Sequence, residues 1–205
     1  MSTLFMEPAR LIYLHGFNSS PQSHKSRALS AYMADRGLLD RLISPAIPPV
    51  PAEAMVMLVD LYESNRCHGE VAVAGSSLGG FYATYLAERF NARAVLINPA
   101  VRPHLLLKKY LGENKNYYTS EHWMLEQAHI EQLRQLDVEH ITRPERYLLM
   151  LQKGDETLDY RQALEKYCNC PVVLEEGGDH SFVGFENHIE QILKFCGVIA
   201  GETGG

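Results

Sequence analysis

Apolar runs of strand length alternate with amphipathic stretches of helix length along most of this chain, and this alternation limits the possible folds more than any other feature. Parallel strands need long crossover connections, usually helices, so the pattern predicts an α/β protein with a mostly parallel sheet and helices on both faces. We expect about six strands, at roughly 10–14, 41–44, 70–74, 94–98, 146–152 and 171–175. The helices are expected at roughly 26–36, 52–63, 78–90, 160–167 and 184–195.

The alternation is interrupted between the fourth and fifth predicted strands, where residues 101–143 are polar and mostly helical in pattern. Ser120 is the predicted N-cap of a helix there, with Trp123, Ile130 and Leu133 on one face. We interpret this segment as a helical insertion that forms a lid. Four of its apolar side chains could line an acyl pocket or simply pack against the sheet: Tyr117, Tyr118, Trp123 and Met124.

Length and composition narrow the classes of protein. With 205 residues, 46% of them hydrophobic, the chain has room for one well-buried core, and we expect residues 1–205 to form a single domain. A net charge of −6 without any Lys/Arg block argues against nucleic-acid binding. Residues 1–10 lack the apolar region of a secretory signal and no membrane-spanning run occurs, so a cytoplasmic protein is expected. The tail 201–205 has no apolar side chain and is expected to be disordered.

A G-x-S-x-G pattern follows the third predicted strand and opens the next helix. It runs from Gly75 through Ser76, Ser77 and Leu78 to Gly79. In a nucleophile elbow the serine occupies a sharp strand-to-helix turn with strained torsions, and the flanking glycines let neighbouring backbone pass close by. Of the two adjacent serines, the pattern selects Ser77 as the candidate nucleophile.

A serine nucleophile needs a base and an orienting carboxylate, and both follow later strands. Asp155 comes directly after the fifth predicted strand and His180 follows the sixth. The carboxyl ends of parallel strands meet at one edge of the sheet, so these groups are expected to lie near Ser77. The order Ser, Asp, His along the chain is that of α/β-hydrolases.

Other acidic residues compete for the carboxylate role. Glu156 and Asp159 lie close to Asp155 in the same loop, and Asp159 is also the predicted N-cap of the next helix. Asp179, next to His180, is interpreted as a turn residue. Asp155 is favoured because it follows the strand end at once, and Glu156 and Asp159 remain alternatives.

The oxyanion formed on acyl attack requires preorganised N–H donors. The backbone amide of Leu78 is one candidate, and the loop after the first strand supplies the other at Phe17, where His15 and Gly16 complete an HG-type sequence. His15 itself is interpreted as a structural brace of this loop.

No cofactor or metal is expected. The remaining histidines have no HExxH-type spacing, and the glycines of 75–80 fit neither a Walker nor a dinucleotide-binding loop. The four cysteines are few and scattered, which argues against a disulfide framework. Nothing in the sequence specifies an oligomeric state.

Four motifs together resemble the α/β-hydrolase superfamily, and most closely the small bacterial esterases of the YqiA family. They span 13–21, 75–83, 154–160 and 178–180. The resemblance implies carboxylester hydrolysis with Ser77 as nucleophile, Asp155 as orienting acid and His180 as base. It also implies a small-molecule acyl ester or acyl thioester as substrate. A hydrolase-like scaffold that binds a small ligand or partner without turnover is the alternative interpretation.

Overall fold

The computed structural model describes residues 8–201 and contains a six-stranded sheet in which every neighbouring pair is parallel. The two strands of a separate antiparallel hairpin lie between the fourth and fifth strands of that sheet in the sequence. In chain order the strands are β1 (Arg10–Leu14), β2 (Leu42–Ile43), β3 (Val71–Ser77), β4 (Ala94–Pro99), β5 (Gly112–Lys115), β6 (His122–Leu125), β7 (Tyr147–Gln152) and β8 (Val172–Glu175). The main sheet has the order β2-β1-β3-β4-β7-β8, and β5 pairs with β6.

Seven α-helices accompany the strands in the described range. They are α1 (His24–Ala34), α2 (Pro51–Arg66), α3 (Leu78–Phe90), α4 (Pro103–Leu106), α5 (Gln127–Gln135), α6 (Tyr160–Lys166) and α7 (Ile189–Phe195). Short 3-10 turns occupy Leu39–Arg41, Leu107–Tyr110, Pro144–Arg146 and Phe185–His188. None of the helices within residues 8–201 is both long enough and apolar enough to cross a membrane.

Alternation along the strands divides the core into two layers. On β1, Ile12 and Leu14 face a cluster formed with α2, α3, α5 and α6, whereas Leu11 and Tyr13 face a cluster formed with α1 and α7. All four side chains are at most 1% exposed. A strand buried on both faces has a continuous apolar sequence, which explains why β1, β4 and β7 could be predicted from their residues.

The strand order reverses direction at the centre of the sheet. The chain moves outward from β1 to β2 and then returns to β3 on the other side of β1. In open α/β sheets a crevice forms at the carboxyl ends of the strands at such a switch point. The loop after β1 and the turn after β3 therefore lie side by side, which brings residues 15–20 next to Ser77.

The insertion lies between the fourth and fifth strands of the main sheet, as predicted, but it is not mostly helical. Its helices α4 and α5 flank the β5–β6 hairpin. The prediction of Ser120 as a helix N-cap is wrong, because Ser120 lies in the hairpin connection with φ of 63°. Trp123 is a strand residue, and the cap of α5 is Glu126, which exchanges hydrogen bonds with His129 in a capping box.

The hairpin connection explains why the sequence pattern was misleading here. The side-chain oxygen of Asn116 accepts hydrogen bonds from the amides of Tyr118 and Thr119, at 2.8 and 3.0 Å. Such an Asx turn offers the backbone an alternative to a helix. Of the predicted disordered tail 201–205, only Gly201 lies within the described residues, and most of the segment 1–10 lies outside them.

Candidate active site

Ser77 lies at a strained turn between β3 and α3. Its φ of 56° and ψ of −120° are unusual for a residue other than glycine, and such torsions persist only where the surroundings enforce them. Backbone crowds both sides of this turn. A Cβ at Gly79 would overlap the Leu14 carbonyl oxygen, and one at Gly75 would overlap the carbonyl oxygen of Gly79. The glycines of the motif are therefore required by close backbone approach.

The structure brings His180 and Asp155 to Ser77 in one hydrogen-bonded chain. Ser77 Oγ lies 3.1 Å from His180 Nε2. On the other side of the ring, Nδ1 lies 2.8 Å from Asp155 Oδ2 and 3.0 Å from Oδ1. The Asp155 side chain is 1% exposed and that of His180 is 24% exposed, so the carboxylate is dry while the imidazole reaches the surface.

Backbone donors hold Asp155 in place. Its Oδ1 accepts hydrogen bonds from the amides of Thr157 and Leu158, at 2.9 and 2.8 Å. The competing acidic residues have different contacts. Glu156 accepts from the backbone amide of His180, at 3.0 Å, and Asp159 caps α6 by accepting from the amide of Arg161, at 3.0 Å. Asp155 is thus the carboxylate that contacts the imidazole ring.

The loop after β1 approaches the serine closely. A Cβ at Gly16 would lie 3.2 Å from the Ser77 Cβ. The amide of Phe17 donates to no other group in the described part of the chain. The Leu78 amide is the first of α3, and the first amides of a helix have no partner within their own helix. Two donors are thus available near Ser77.

His15 braces this loop, as predicted. The Ile47 amide donates to His15 Nε2 at 3.2 Å, and His15 Nδ1 lies 3.0 Å from the Gly16 carbonyl oxygen. An acceptor Nε2 and a donor Nδ1 require the neutral ring. Burial lowers the pKa of His15, which favours the same neutral form.

Two buried side-chain amides that were not predicted from the sequence, Asn98 and Gln152, hold the loop that carries His180. Asn98 Nδ2 donates to the carbonyl oxygens of Asp179 and His180, at 3.0 and 3.4 Å, and its Oδ1 accepts from the Gln152 amide at 3.0 Å. Gln152 Oε1 accepts from the amides of Asp179 and Val183, at 3.1 and 2.9 Å. Each lies at the end of an otherwise apolar strand, which is a signal that the sequence does contain.

Lys25 supports the same loop from α1. Its Nζ donates to the carbonyl oxygen of Ser181, the residue after His180, at 2.8 Å. Burial lowers the pKa of Lys25 to about 8, and the nearby carboxylates of Asp179, Asp155 and Glu186 oppose that shift. Asp179 Oδ1 is itself buried without a hydrogen-bond partner in the described range.

A cavity of about 210 Å³ opens beside Ser77 and His180. It is lined mainly by apolar side chains, and Lys109 contributes a positive charge at its wall. Four side chains of the insertion were candidates for lining an acyl pocket. Of these, Tyr117 lines this cavity, and Trp123 lines an adjacent cavity of about 370 Å³ at the loop after β1. Tyr118 and Met124 line neither and are 47% and 52% exposed. A larger cavity, of about 730 Å³, contains neither Ser77 nor His180 and lies between the insertion and α6.

Within residues 8–201, no three His, Cys, Asp or Glu side chains are placed so that they could hold a metal ion together.

Residues 10–197 match the model of UPF0227, which is described as an uncharacterised protein family. The chain belongs to the UPF0227 family. A UPF0227 protein from Citrobacter koseri is 25% identical over 188 residues, which cover 90% of this chain and 97% of that protein. This family agrees with the resemblance to YqiA-like proteins seen in the sequence motifs.

Solved structures show the fold of this UPF0227 member. Mouse alpha/beta hydrolase domain-containing protein 10 superposes with a TM-score of 0.68 at 15% identity, covering 89% of this chain and 86% of that one. A monoacylglycerol lipase from Paleococcus ferrophilus superposes with a TM-score of 0.66 at 12% identity, covering 93% and 96%. The predicted α/β-hydrolase fold is confirmed.

Proposed function

We propose that this UPF0227 protein is a serine carboxylesterase in which Ser77, His180 and Asp155 form the catalytic triad. One observation carries the proposal: the unbroken chain of hydrogen bonds from Ser77 Oγ through both ring nitrogens of His180 to the dry carboxylate of Asp155. Strained backbone is concentrated at functional sites, and the order serine, imidazole, carboxylate is that of a catalytic triad. The names of structural neighbours, a hydrolase-domain protein and a lipase, support a hydrolase.

The geometry suits acyl transfer. Ser77 Oγ forms a bond to the acyl carbon while its proton passes to His180 Nε2, and Asp155 stabilises the resulting imidazolium. The carbonyl oxygen becomes an oxyanion that the amides of Phe17 and Leu78 receive. The carbon–oxygen bond of the ester then breaks as His180 returns the proton to the leaving alkoxide, which departs as the alcohol.

Water completes the cycle by the same groups. His180 removes a proton from water as the water oxygen attacks the acyl-enzyme, and the same proton is returned to Ser77 Oγ as the carboxylic acid is released. The chemistry needs no metal or cofactor, since each proton moves between His180 and either Ser77, the leaving alcohol or water.

The cavity beside Ser77 suggests the kind of acyl group. Its lining is apolar at Leu106, Leu107 and Leu158, and a volume of about 210 Å³ suits a short chain. Thioesters react through the same tetrahedral intermediate and form the second substrate class of the proposal. Residues 101–143 act in it as a lid, because Tyr110 and Tyr117 of this segment line the cavity.

The test is a panel of p-nitrophenyl esters with acyl chains from acetate to decanoate, extended by the matching acyl-CoA thioesters. We expect hydrolysis with a preference for short chains and a loss of about 10⁴-fold or more in Ser77→Ala. Ser76→Ala is the matched control: Ser76 is the adjacent buried serine, and within the described residues it is Ser77, not Ser76, that bonds to His180. An inactive wild type, or equal activity of Ser77→Ala, would favour the non-catalytic scaffold.

A further inference from the structure

The β5–β6 hairpin is attached to the loop after β1 by hydrogen bonds that converge on Asn18, the residue after Phe17. Trp123 Nε1 donates to Asn18 Oδ1 at 2.8 Å. Asn18 Nδ2 donates to Asn114 Oδ1 at 3.2 Å, and the Tyr117 amide donates to the Asn18 carbonyl oxygen at 2.9 Å. Both polar ends of the Asn18 side chain and its main-chain carbonyl are thus engaged by one hairpin.

The groups that hold Asn18 are themselves well fixed. Asn114 is 9% exposed, and its Nδ2 donates to the carbonyl oxygens of Tyr110 and Gly112, at 2.7 and 3.1 Å. That bonding leaves Asn114 Oδ1 as the atom that faces Asn18. A further bond, from Asn116 Nδ2 to the Ser19 carbonyl oxygen at 2.8 Å, ties the hairpin to the next residue of the loop.

Asn18 has an uncommon backbone conformation that its side chain helps to hold. Its φ of 51° lies in the left-handed region, which asparagine adopts where its short polar side chain finds hydrogen-bond partners. The side chain of the preceding residue is held by the same segment: the Phe17 ring lies 5.7 Å from the Trp123 ring and 5.8 Å from that of Tyr110, between centroids. The conformation on both sides of the 17–18 peptide therefore depends on the insertion.

We propose that the β5–β6 hairpin is a positioning element for the oxyanion hole, in which Trp123 and Asn114 hold Asn18 and thereby fix the direction of the Phe17 amide. This inference rests on the proposed esterase function. An oxyanion donor is effective only if it is already oriented when charge develops. Loop 15–20 follows the carboxyl end of β1, but the groups that orient Asn18 in this loop come from a segment about 100 residues later in the chain.

The test uses Trp123→Phe, which keeps an aromatic ring against Phe17 but removes the Nε1–H donor together with part of the indole ring. An interaction that acts on the oxyanion lowers kcat with little change in KM. We expect kcat to fall by about tenfold or more, within the range of up to about 10³-fold for complete loss of one oxyanion donor. The inhibition constant of a trifluoromethyl ketone, whose hemiketal with Ser77 carries the same oxyanion, is expected to rise by the same factor. A change in fold stability alone would not produce that parallel.

Met124→Ala is the matched control, because Met124 is the next residue on β6, is 52% exposed and makes no contact with Asn18 in the bonding just described. It is expected to keep wild-type kcat and inhibitor affinity. Asn18→Gly is the second variant: glycine adopts the φ of 51° without strain but removes both side-chain hydrogen bonds. A loss of kcat in this variant similar to that in Trp123→Phe shows that the hydrogen bonds matter, and it decides the question if Trp123→Phe does not fold.

A spectroscopic test is also available, because Trp123 is the only tryptophan of the sequence and its indole N–H gives a single signal. The single indole N–H resonance of ¹⁵N-labelled protein is expected to shift when the ketone adds to Ser77, and not in Ser77→Ala. Wild-type kcat and ketone affinity in both Trp123→Phe and Asn18→Gly would overturn the inference while leaving the esterase proposal intact. A wild type that hydrolyses no ester and shows no indole shift overturns both.

Discussion

Replacing Gln152 by Glu tests how the His180 loop is held, because the two side chains have nearly the same shape. In the structure Gln152 is 2% exposed, and its Nε2 donates to Glu175 Oε2 and to the Val183 carbonyl oxygen, both at 2.7 Å. A carboxylate at position 152 cannot donate, and it places a second negative charge beside Glu175. His188 contacts the other oxygen of Glu175, at 2.9 Å, and the Asp179 amide donates to Gln152 Oε1 at 3.1 Å.

The energetic consequence depends on pH in a defined direction. Burial and the neighbouring Glu175 raise the pKa of the introduced carboxyl in folded Gln152→Glu above its unfolded value of about 4.3. Below about pH 4.3 the protonated side chain still donates one hydrogen bond, so the variant loses only about 0.5–1.5 kcal/mol for the other. As pH rises towards the folded-state pKa, the folded state binds more protons than the unfolded one, and the loss of stability grows by about 1.4 kcal/mol per pH unit.

Urea unfolding of wild type and Gln152→Glu measures this gap in stability, from about pH 4.5, just above the unfolded-state pKa, to about pH 8. Over about two pH units we expect the difference in unfolding free energy between the two proteins to widen by roughly 2.7 kcal/mol. We also expect kcat/KM to fall, because Asp179 and Val183, whose amides bond to Gln152, flank His180. Gln162→Glu, at an exposed position of α6, is the control and is expected to show no such dependence. A gap that stays constant across the pH range would refute the reasoning that Gln152 is a dry, donating link to Glu175.

Three further outcomes are expected. Asp155→Asn lowers kcat by roughly 10⁴-fold by favouring the wrong imidazole tautomer, whereas Asp159→Asn, at a helix cap, leaves kcat unchanged; ester assays compare the two. Lys25→Met removes a group whose pKa burial lowers to about 8. The unfolded state binds the Lys25 proton up to about pH 10.4, so wild-type stability relative to this variant rises from about pH 8 to about pH 10 in urea titrations. A thiol-reactive dye in native buffer labels Cys67 and Cys168, which are exposed, and spares the two buried cysteines, where burial raises the thiol pKa to about 12.

Elements with local signals were predictable. Helix α3 occupies Leu78–Phe90 as expected, and β1 occupies Arg10–Leu14, because a strand buried on both faces and a helix of apolar character show their identity within a few residues. The hairpin was not predictable in this way. Each of its strands has four residues with mixed polarity, and Ser120, the predicted helix N-cap, lies in the connection between them.

The residues of the candidate site also divide into those with a local sequence signal and those without one. Ser77, Asp155, His180, Phe17 and Leu78 were predicted because each follows a strand end, and parallel strands end at the same edge. Asn98 and Gln152 were missed because their partners lie between 23 and 82 residues away in the chain. A hydrogen bond of that span leaves no periodic trace in the sequence.

The sequence by itself determined that this chain is an α/β protein, and it predicted a strained serine turn and candidate acid and base residues, since strand burial, glycine placement and strand ends are local properties. Only the tertiary structure decided which carboxylate contacts His180 and which groups hold the loops on either side of Ser77. Those contacts join residues such as Asn18 and Trp123, separated by 105 positions, and they exist only once the sheet and its insertion have packed together.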